Sequence, residues 1–277
     1  MGLRGLIQHA VSEAVHKSTP PVGVLLSGGI DSSTVAAFAG ELPTFTGYYD
    51  IPGFDERGFA KLAVNGPHHC VEITPQDFVD QFDAMVQVID PFGVGPGVLG
   101  QWCVAKYASQ LVNTLLSGEG GDELFGGYAR LLKVAGQALP PGYENMQLPK
   151  GYPDMIEAAL AWDLMRLPVL MAADEQICAA WHITVKAPLT DRAIVDYALH
   201  LSAEKRIGKT ELKNVMRGVV PDMILDRKSK MGLPTQYVLW AQEEPVKSFV
   251  EERIGYVPDV DNPYARDWWY ELCRVSK

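Results

Sequence analysis

The sequence predicts an α/β protein: a doubly wound parallel sheet followed by a largely helical C-terminal half. Three observations carry that prediction. Short apolar or β-branched runs recur up to residue 116, as in strands buried on both faces. Each is followed by a segment of helical spacing, the alternation from which crossover-connected parallel sheets are built. After Gly127 strand-like runs nearly vanish.

The elements follow in order. Leu3, Leu6, Ile7, Ala10, Val11, Ala14 and Val15 mark one face of an amphipathic helix, and Pro20 and Pro21 stop it. Val22-Gly-Val-Leu-Leu26 is the first strand, Ser27-Gly28-Gly29 breaks it, and residues 32–38 read as a helix. Residues 44–49 form the second strand, and Asp55 caps a helix running to about Val64. Residues 69–73 form the third strand. Thr74-Pro75 is a cap followed by proline at the first helical position, and Phe78, Phe82, Met85, Val86 and Ile89 give that helix its face. A Gly/Pro-rich loop over 91–100 leads to a helix of about ten residues and a fourth strand at 113–116. Residues 136–153 carry four prolines and three glycines and read as an irregular surface segment. Beyond it, Ile156, Leu160, Leu164 and Leu167 are helical in spacing, with Pro168 next. Thr190 is expected to cap a helix holding Ile194, Val195, Ala198 and Leu199, with further helices near 210–217, 236–254 and 263–274. One unit over 1–277 is expected, with its α/β part at about 18–135 and its helical part at about 153–277.

Composition bounds the function. The chain has 277 residues and a net charge of −10, with 47% apolar and 21% charged residues. That is globular composition, not collagen-like, coiled-coil or disordered. An acidic chain is a poor generic binder of polyanions, so no nucleic-acid partner is expected. Cys70, Cys103, Cys178 and Cys273 include no C-x-x-C pair and read as free thiols in a reducing compartment. With no run of about 18 apolar residues and no signal-peptide pattern, no membrane association is expected and a cytoplasmic location is.

The chemistry is concentrated in two loops. Leu26-Ser27-Gly28-Gly29-Ile30-Asp31-Ser32-Ser33 joins a buried strand to a helix. Glycines let the backbone approach a ligand, and the helix start offers free N–H groups. Together with the serine hydroxyls they suit a phosphate or pyrophosphate. Asp31 would repel phosphate unless it holds a divalent cation that bridges to it. Ser117-Gly-Glu-Gly-Gly-Asp-Glu-Leu-Phe-Gly-Gly-Tyr128 opens on the same sheet edge, with five glycines and three acids in its first eleven residues. Carboxylates so close raise one another's pKa values unless a cation intervenes. Asp122 is therefore the expected second metal ligand opposite Asp31, and Glu119 a base or orienting group. Gly208-Lys209-Thr210 imitates the end of a Walker A loop. Ala203 stands where its first glycine belongs and no strand precedes it, so it is set aside. No Gly-x-Ser-x-Gly elbow occurs.

These two strings resemble the synthetase domain of glutamine-hydrolysing asparagine synthetases and the related β-lactam and carbapenam synthetases. That group belongs to the PP-loop ATP pyrophosphatases, whose fold is HUP-like, akin to the adenine nucleotide alpha hydrolases. The resemblance runs from about residue 20 to about 240. It implies an ATP-dependent ligase that adenylates a carboxylate, releases pyrophosphate and transfers the acyl group to an amine. ATP and Mg²⁺ are the implied cofactors. It places Ser27, Gly28, Gly29, Asp31, Ser32 and Ser33 on the pyrophosphate and its Mg²⁺. Leu26, Thr46, Ser117 and Gly118 complete the ATP set, Asp122 is the second Mg²⁺ ligand, and Glu123 lies near the amino-acid end of the substrate. A glutamate at position 119 looks like the asparagine synthetase branch, since the β-lactam synthetases carry tyrosine there. Lys230, in Arg227-Lys-Ser-Lys-Met-Gly-Leu-Pro234, resembles the family lysine that neutralises the α-phosphate and leaving pyrophosphate, with Lys228 as its alternative.

The chain reaches the first loop within 27 residues, so the family's glutaminase domain is not expected ahead of it. Ammonia is expected from solution or from a separate glutaminase subunit, and a homo-oligomer is compatible with the sequence. Where the family reads Glu-Ala-Arg-Val-Pro-Phe-Leu-Asp, this chain has Thr184 for the glutamate and Lys186 for the arginine but keeps Pro188 and Asp191. A lost carboxylate near the acceptor site would weaken the case for aspartate as substrate. His68-His69 resembles a family histidine and reads as packing. The expected reaction is asparagine formation from aspartate and ammonia. The alternatives are the same adenylation on another acid and amine, adenylation of RNA bases, or a non-catalytic ATP-binding subunit.

Overall fold

The computed structural model describes residues 1–51, 55–90, 94–141, 143, 146–228, 237–259 and 267–277. In chain order it begins with α1 (Leu3–His16), β1 (Val22–Leu25), α2 (Ile30–Ala39), β2 (Thr44–Tyr48), α3 (Arg57–Leu62) and β3 (His68–Glu72). Next come α4 (Pro75–Val88), α5 (Val98–Ala108), β4 (Thr114–Leu116), α6 (Gly121–Leu124) and α7 (Ala129–Val134). They are followed by α8 (Ile156–Met165), α9 (Leu167–Ala180), β5 (Thr184–Lys186), α10 (Arg192–Leu199), α11 (Ala203–Arg206) and α12 (Thr210–Met216). The chain closes with α13 (Asp222–Leu225), α14 (Tyr237–Trp240), α15 (Val246–Ile254) and α16 (Asp267–Val275).

The strands form one parallel sheet in the order β3-β2-β1-β4-β5. Successive residues of a strand point to opposite faces. Val22, Val24, Leu26 and Leu116 therefore pack with α1, α2, α10 and α12 on one side. Leu25, Phe45, Val71 and Leu115 pack with α4, α5, α9, α15 and α16 on the other. Burial on both faces is why β1 reads as a continuous apolar run. A smaller core of Leu131, Tyr152, Ala159, Leu160 and Ile207 joins α7 and α8.

Local signals place several boundaries. Thr74 Oγ1 accepts from the Asp77 N–H at 3.1 Å and Asp77 Oδ2 accepts from the Thr74 N–H at 2.9 Å, a reciprocal cap that starts α4. Four expectations need correction. The second helix begins at Ile30, not residue 32, because Gly29 is its N-cap. α5 begins at Val98, inside the segment read as a loop. The N-cap of α10 is Asp191, whose Oδ1 accepts from the Ala193 N–H at 2.9 Å. Thr190 instead ends a 3₁₀ turn and donates its hydroxyl to the Ala187 carbonyl at 2.7 Å. Finally, β5 is a fifth strand where none was expected. Three residues are too few to show a period, and its pairing with β4 supplies the stability that local sequence does not.

Candidate active site

Val24 pairs with Leu116, so the loops after β1 and β4 leave the carboxyl edge of the sheet side by side. This is the edge where open α/β sheets hold ligands. In the first loop Gly28 has φ +73°, and a Cβ there would lie 2.5 Å from the Ala60 backbone nitrogen. Only glycine meets both demands without strain. Gly29 opens α2, and the loop is tied to itself. The Ser27 and Ser32 hydroxyls lie 3.1 Å apart, the Gly29 N–H donates to Ser27 Oγ at 3.3 Å, and Ser32 Oγ donates to the Gly29 carbonyl at 3.2 Å.

The second loop docks on the first. A Cβ on Gly118 would sit 2.6 Å from the Ser32 backbone nitrogen, so the two backbones touch. The short helix α6 then turns Asp122 back towards Asp31. Arg206 is buried and donates to the Leu124 carbonyl at 2.8 Å and the Glu123 carbonyl at 3.2 Å, satisfying the open end of that helix.

The structure brings Ser27, Gly28, Gly29, Asp31, Ser32, Ser117, Gly118, Glu119, Asp122 and Glu123 into this one region. Leu26, Ser33 and Thr46 lie beneath it with their side chains buried. The Thr46 hydroxyl donates to the Leu26 carbonyl and so fastens the strand end. Lys230 lies outside the described residues. The residue that leads towards it is well fixed: Arg227 pairs with Glu56 and stacks 3.8 Å over the Phe59 ring, beside the backbone that crowds Gly28.

Sequence reasoning missed Lys209. It was set aside with Gly208-Lys209-Thr210, yet its ammonium bridges Asp31 Oδ2 and Asp122 Oδ1. Lys209 is only 4% exposed and holds φ +61°, a left-handed conformation that costs a non-glycine residue about 1–3 kcal/mol. Two backbone bonds impose it: Gly208 N–H to the Gly126 carbonyl at 2.8 Å and Lys209 N–H to the Phe125 carbonyl at 2.9 Å. No sequence spacing links residue 209 to residues 31 and 122. The one hint was a buried lysine's need for a carboxylate.

Two carboxylate oxygens from separate loops thus converge on one cationic centre. Cβ atoms on Gly121 and Gly127 would run into Asp31 and into Asp122 and Lys209, so the cradle exists because those side chains are absent. Hard oxygen donors in a shaped cradle fit Mg²⁺. Among the described residues no group of three His, Cys, Asp or Glu is arranged to hold a metal. A cation here would therefore complete its shell with phosphate and water oxygens.

Around that centre sits a second set of acids. Glu119 lies deep in the cleft with part of its side chain accessible. Burial first, and then the charges of Asp174, Glu123, Asp122 and Asp31, hold its pKa well above the ordinary carboxylate range. Burial also raises Glu123, which is 1% exposed. Tyr128 donates its hydroxyl to Glu123 Oε1, while Oε2 is buried with no hydrogen-bond partner among the described residues. Asp174, on α9, was not foreseen. Burial and then the Glu123 charge push its pKa up to about 7. It lines a small cavity of about 10 Å³ with Leu25, Gln101 and Val185 among its neighbours.

With this geometry in place, the family is decided by a match to the asparagine synthase model over residues 2–266. The chain belongs to the asparagine synthase family. It is 25% identical to asparagine synthetase [glutamine-hydrolyzing] 1 of Bacillus subtilis, over 89% of this chain and 52% of that protein. It is 24% identical to the Sandersonia aurantiaca asparagine synthetase [glutamine-hydrolyzing], over 92% of this chain and 48% of that protein. A putative asparagine synthetase [glutamine-hydrolyzing] of Mycobacterium tuberculosis is 38% identical over 39% of this chain and 18% of that protein. The chain spans about half the length of the B. subtilis and S. aurantiaca relatives. No helix among the described residues is long and apolar enough to cross a membrane.

Two departures from the asparagine synthase pattern turn their side chains away from the loops, although the Lys186 carbonyl accepts from the Ser117 N–H at 2.8 Å. Thr184 starts β5 opposite Thr114, at the amino end of the strands, and its hydroxyl lies 3.0 Å from Thr114 Oγ1. The glutamate lost at this position is therefore lost from the opposite edge of the sheet, not from beside Glu119. Lys186 turns its ammonium to the C-terminus of α1, donating to the Lys17 carbonyl at 2.6 Å, where a cation meets the negative end of the helix dipole. His69 packs flat on Phe45 at 5.1 Å, and His68 Nδ1 lies 2.8 Å from Thr44 Oγ1, so both serve the edge of the sheet.

Proposed function

We propose that this chain is an AMP-forming, ATP-dependent carbon–nitrogen ligase that adenylates aspartate and passes the acyl group to ammonia. The observation that carries the reading is the convergence of Asp31 and Asp122 on one cationic centre beside the glycine loop of a family whose members bear the name asparagine synthetase.

The residues divide the work as follows. The Gly28 and Gly29 backbone, the Ser27 and Ser32 hydroxyls and the start of α2 hold the phosphates, and Ser117 and Gly118 face the nucleoside. Asp31 and Asp122 would hold Mg²⁺, which would supply positive charge against the phosphates. A substrate carboxylate oxygen attacks the α-phosphorus, the bond to the bridging oxygen of the β-phosphate breaks, and pyrophosphate leaves with that electron pair. Lys209 neutralises the departing charge, the role that the family resemblance gives to Lys230. An amine nitrogen then attacks the acyl carbon and AMP leaves. Glu119 takes the proton lost by that nitrogen, a role suited to a buried carboxyl whose pKa is held above the ordinary carboxylate range. Leu26, Ser33 and Thr46 support the loop from below, and Glu123 faces the amino-acid end of the substrate. The nitrogen comes from free ammonia or a separate glutaminase subunit, the compartment is the cytoplasm, and residues 1–277 act as one unit.

The experiment is product analysis with ATP, Mg²⁺, L-aspartate and ammonium. The reading expects AMP, pyrophosphate and asparagine in equal amounts. AMP and pyrophosphate without asparagine would reject aspartate amidation and keep adenylation. No AMP with any amino acid would reject the ligase reading.

A further inference from the structure

Glu123 is placed by a chain of contacts that ends far from the loops. Tyr128, the residue before α7, donates its hydroxyl to Glu123 Oε1. The Arg130 guanidinium lies flat on the Tyr128 ring, its central carbon 3.7 Å from the ring centre. Arg130 Nε donates to Asp163 Oδ1 at 2.8 Å, and Tyr152 donates its hydroxyl to Asp163 Oδ2 at 2.8 Å. Asp163, on α8, is almost wholly buried, and Tyr152 and its neighbours Ala159 and Leu160 belong to the small core that joins α7 and α8.

Each link restrains the next. A buried carboxylate with both oxygens engaged anchors the guanidinium through its Nε by a charge-assisted hydrogen bond. The stacked guanidinium fixes the phenol ring. The phenol holds one oxygen of Glu123, which leaves Oε2 buried and without a hydrogen-bond partner among the described residues. A buried acceptor left unsatisfied is costly, and in a native protein it calls for a donor.

We infer that Tyr128 and Arg130, backed by Asp163 and Tyr152, are positioning residues that hold Glu123 Oε2 as the acceptor for the ammonium group of an amino-acid substrate. None of the four touches the reacting atoms. They act through Glu123, and they make its placement depend on the α7–α8 core instead of on the sheet. The ligand named rests on the ligase reading; the positioning does not.

The test uses the full chain with Tyr128→Phe, Asp163→Asn and the double variant. Hydrogen exchange, without substrate, is expected to quicken at amides 119–125 in all three and to stay unchanged at amides 27–33. Unchanged protection at 119–125 in Tyr128→Phe would overturn the positioning, whether or not the ligase reading stands. With L-aspartate as probe, each single variant is expected to raise the aspartate KM about tenfold, with the ATP KM within about twofold and the double variant no worse than either single one. Additive losses, or equal losses for ATP and aspartate, would overturn it. Arg130→Lys covers the case in which Asp163→Asn fails to fold. It keeps the charge opposite Asp163 but loses the flat stack, so it is expected to raise the aspartate KM while holding the melting temperature near wild type; an unchanged KM would count against the inference.

Discussion

The two glycine loops are built on different terms. Apart from Asp31, whose carboxylate Lys209 holds, residues 27–33 are held by one another: glycine conformation, the start of α2 and hydroxyl contacts spanning five residues or fewer. In residues 117–128 it is distant partners that set the side chains. Lys209 reaches Asp122, Arg206 holds the end of α6, Asp174 acts on Glu119, and the Arg130–Asp163 pair stands behind Tyr128. A loop that local rules shape is a general phosphate cradle. A loop that the rest of the molecule shapes can be particular about its substrate.

The comparison can be broken at its shared centre first. Asp122→Asn removes one of the two converging carboxylates. It is expected to lower Mg²⁺-dependent AMP formation by about 10²–10³-fold with the circular dichroism spectrum unchanged. Unchanged turnover would remove Asp122 from the metal assignment.

Lys209→Met comes next, because it leaves Asp31 and Asp122 facing each other without the cation. A loss of about 3–5 kcal/mol in urea unfolding is expected. Added Mg²⁺ should then raise the melting temperature of the variant more than that of the wild type. Equal Mg²⁺ shifts would mean that the ion does not bind between those carboxylates.

A third test separates the loops by pH. Asp174 has an ordinary pKa of 3.8 when unfolded and about 7 when folded. Between those values the folded state binds more protons than the unfolded one, so stability falls as pH rises from about 4 to 7. The fall has an upper bound of about 4 kcal/mol. Asp174→Asn should flatten it, as read by unfolding midpoints across that window. A profile equally steep in the variant would trace the dependence to other groups.

The smallest effect is expected at Thr184→Glu, which restores the family residue on the edge of the sheet opposite the loops. Its aspartate KM should match wild type within about twofold. A larger change would mean that position 184 does act on the site.

How much of this was legible in the sequence follows the same division. The four strands and the cap at Thr74 are local events, and so is the first loop: apolar runs, a hydroxyl before a proline, two glycines after a strand. β5 was not legible, since three residues gain their strand character from pairing with β4. Lys209 was read by its neighbours and dismissed, although its place is decided by Phe125, Gly126 and the two aspartates. Asp174 and Arg130 carried no motif at all. Thr184 shows the reverse error: an aligned difference looked functional until the strand register put it at the far edge of the sheet.

The most direct test of the account is the fate of a substrate oxygen. Aspartate labelled with oxygen-18 in its side-chain carboxylate is turned over with ATP, Mg²⁺ and ammonium, and the products are weighed by mass spectrometry. Attack of the carboxylate on the α-phosphorus predicts one labelled oxygen in AMP and none in pyrophosphate. Label in inorganic phosphate with ADP as the partner product, or AMP without label, would contradict it.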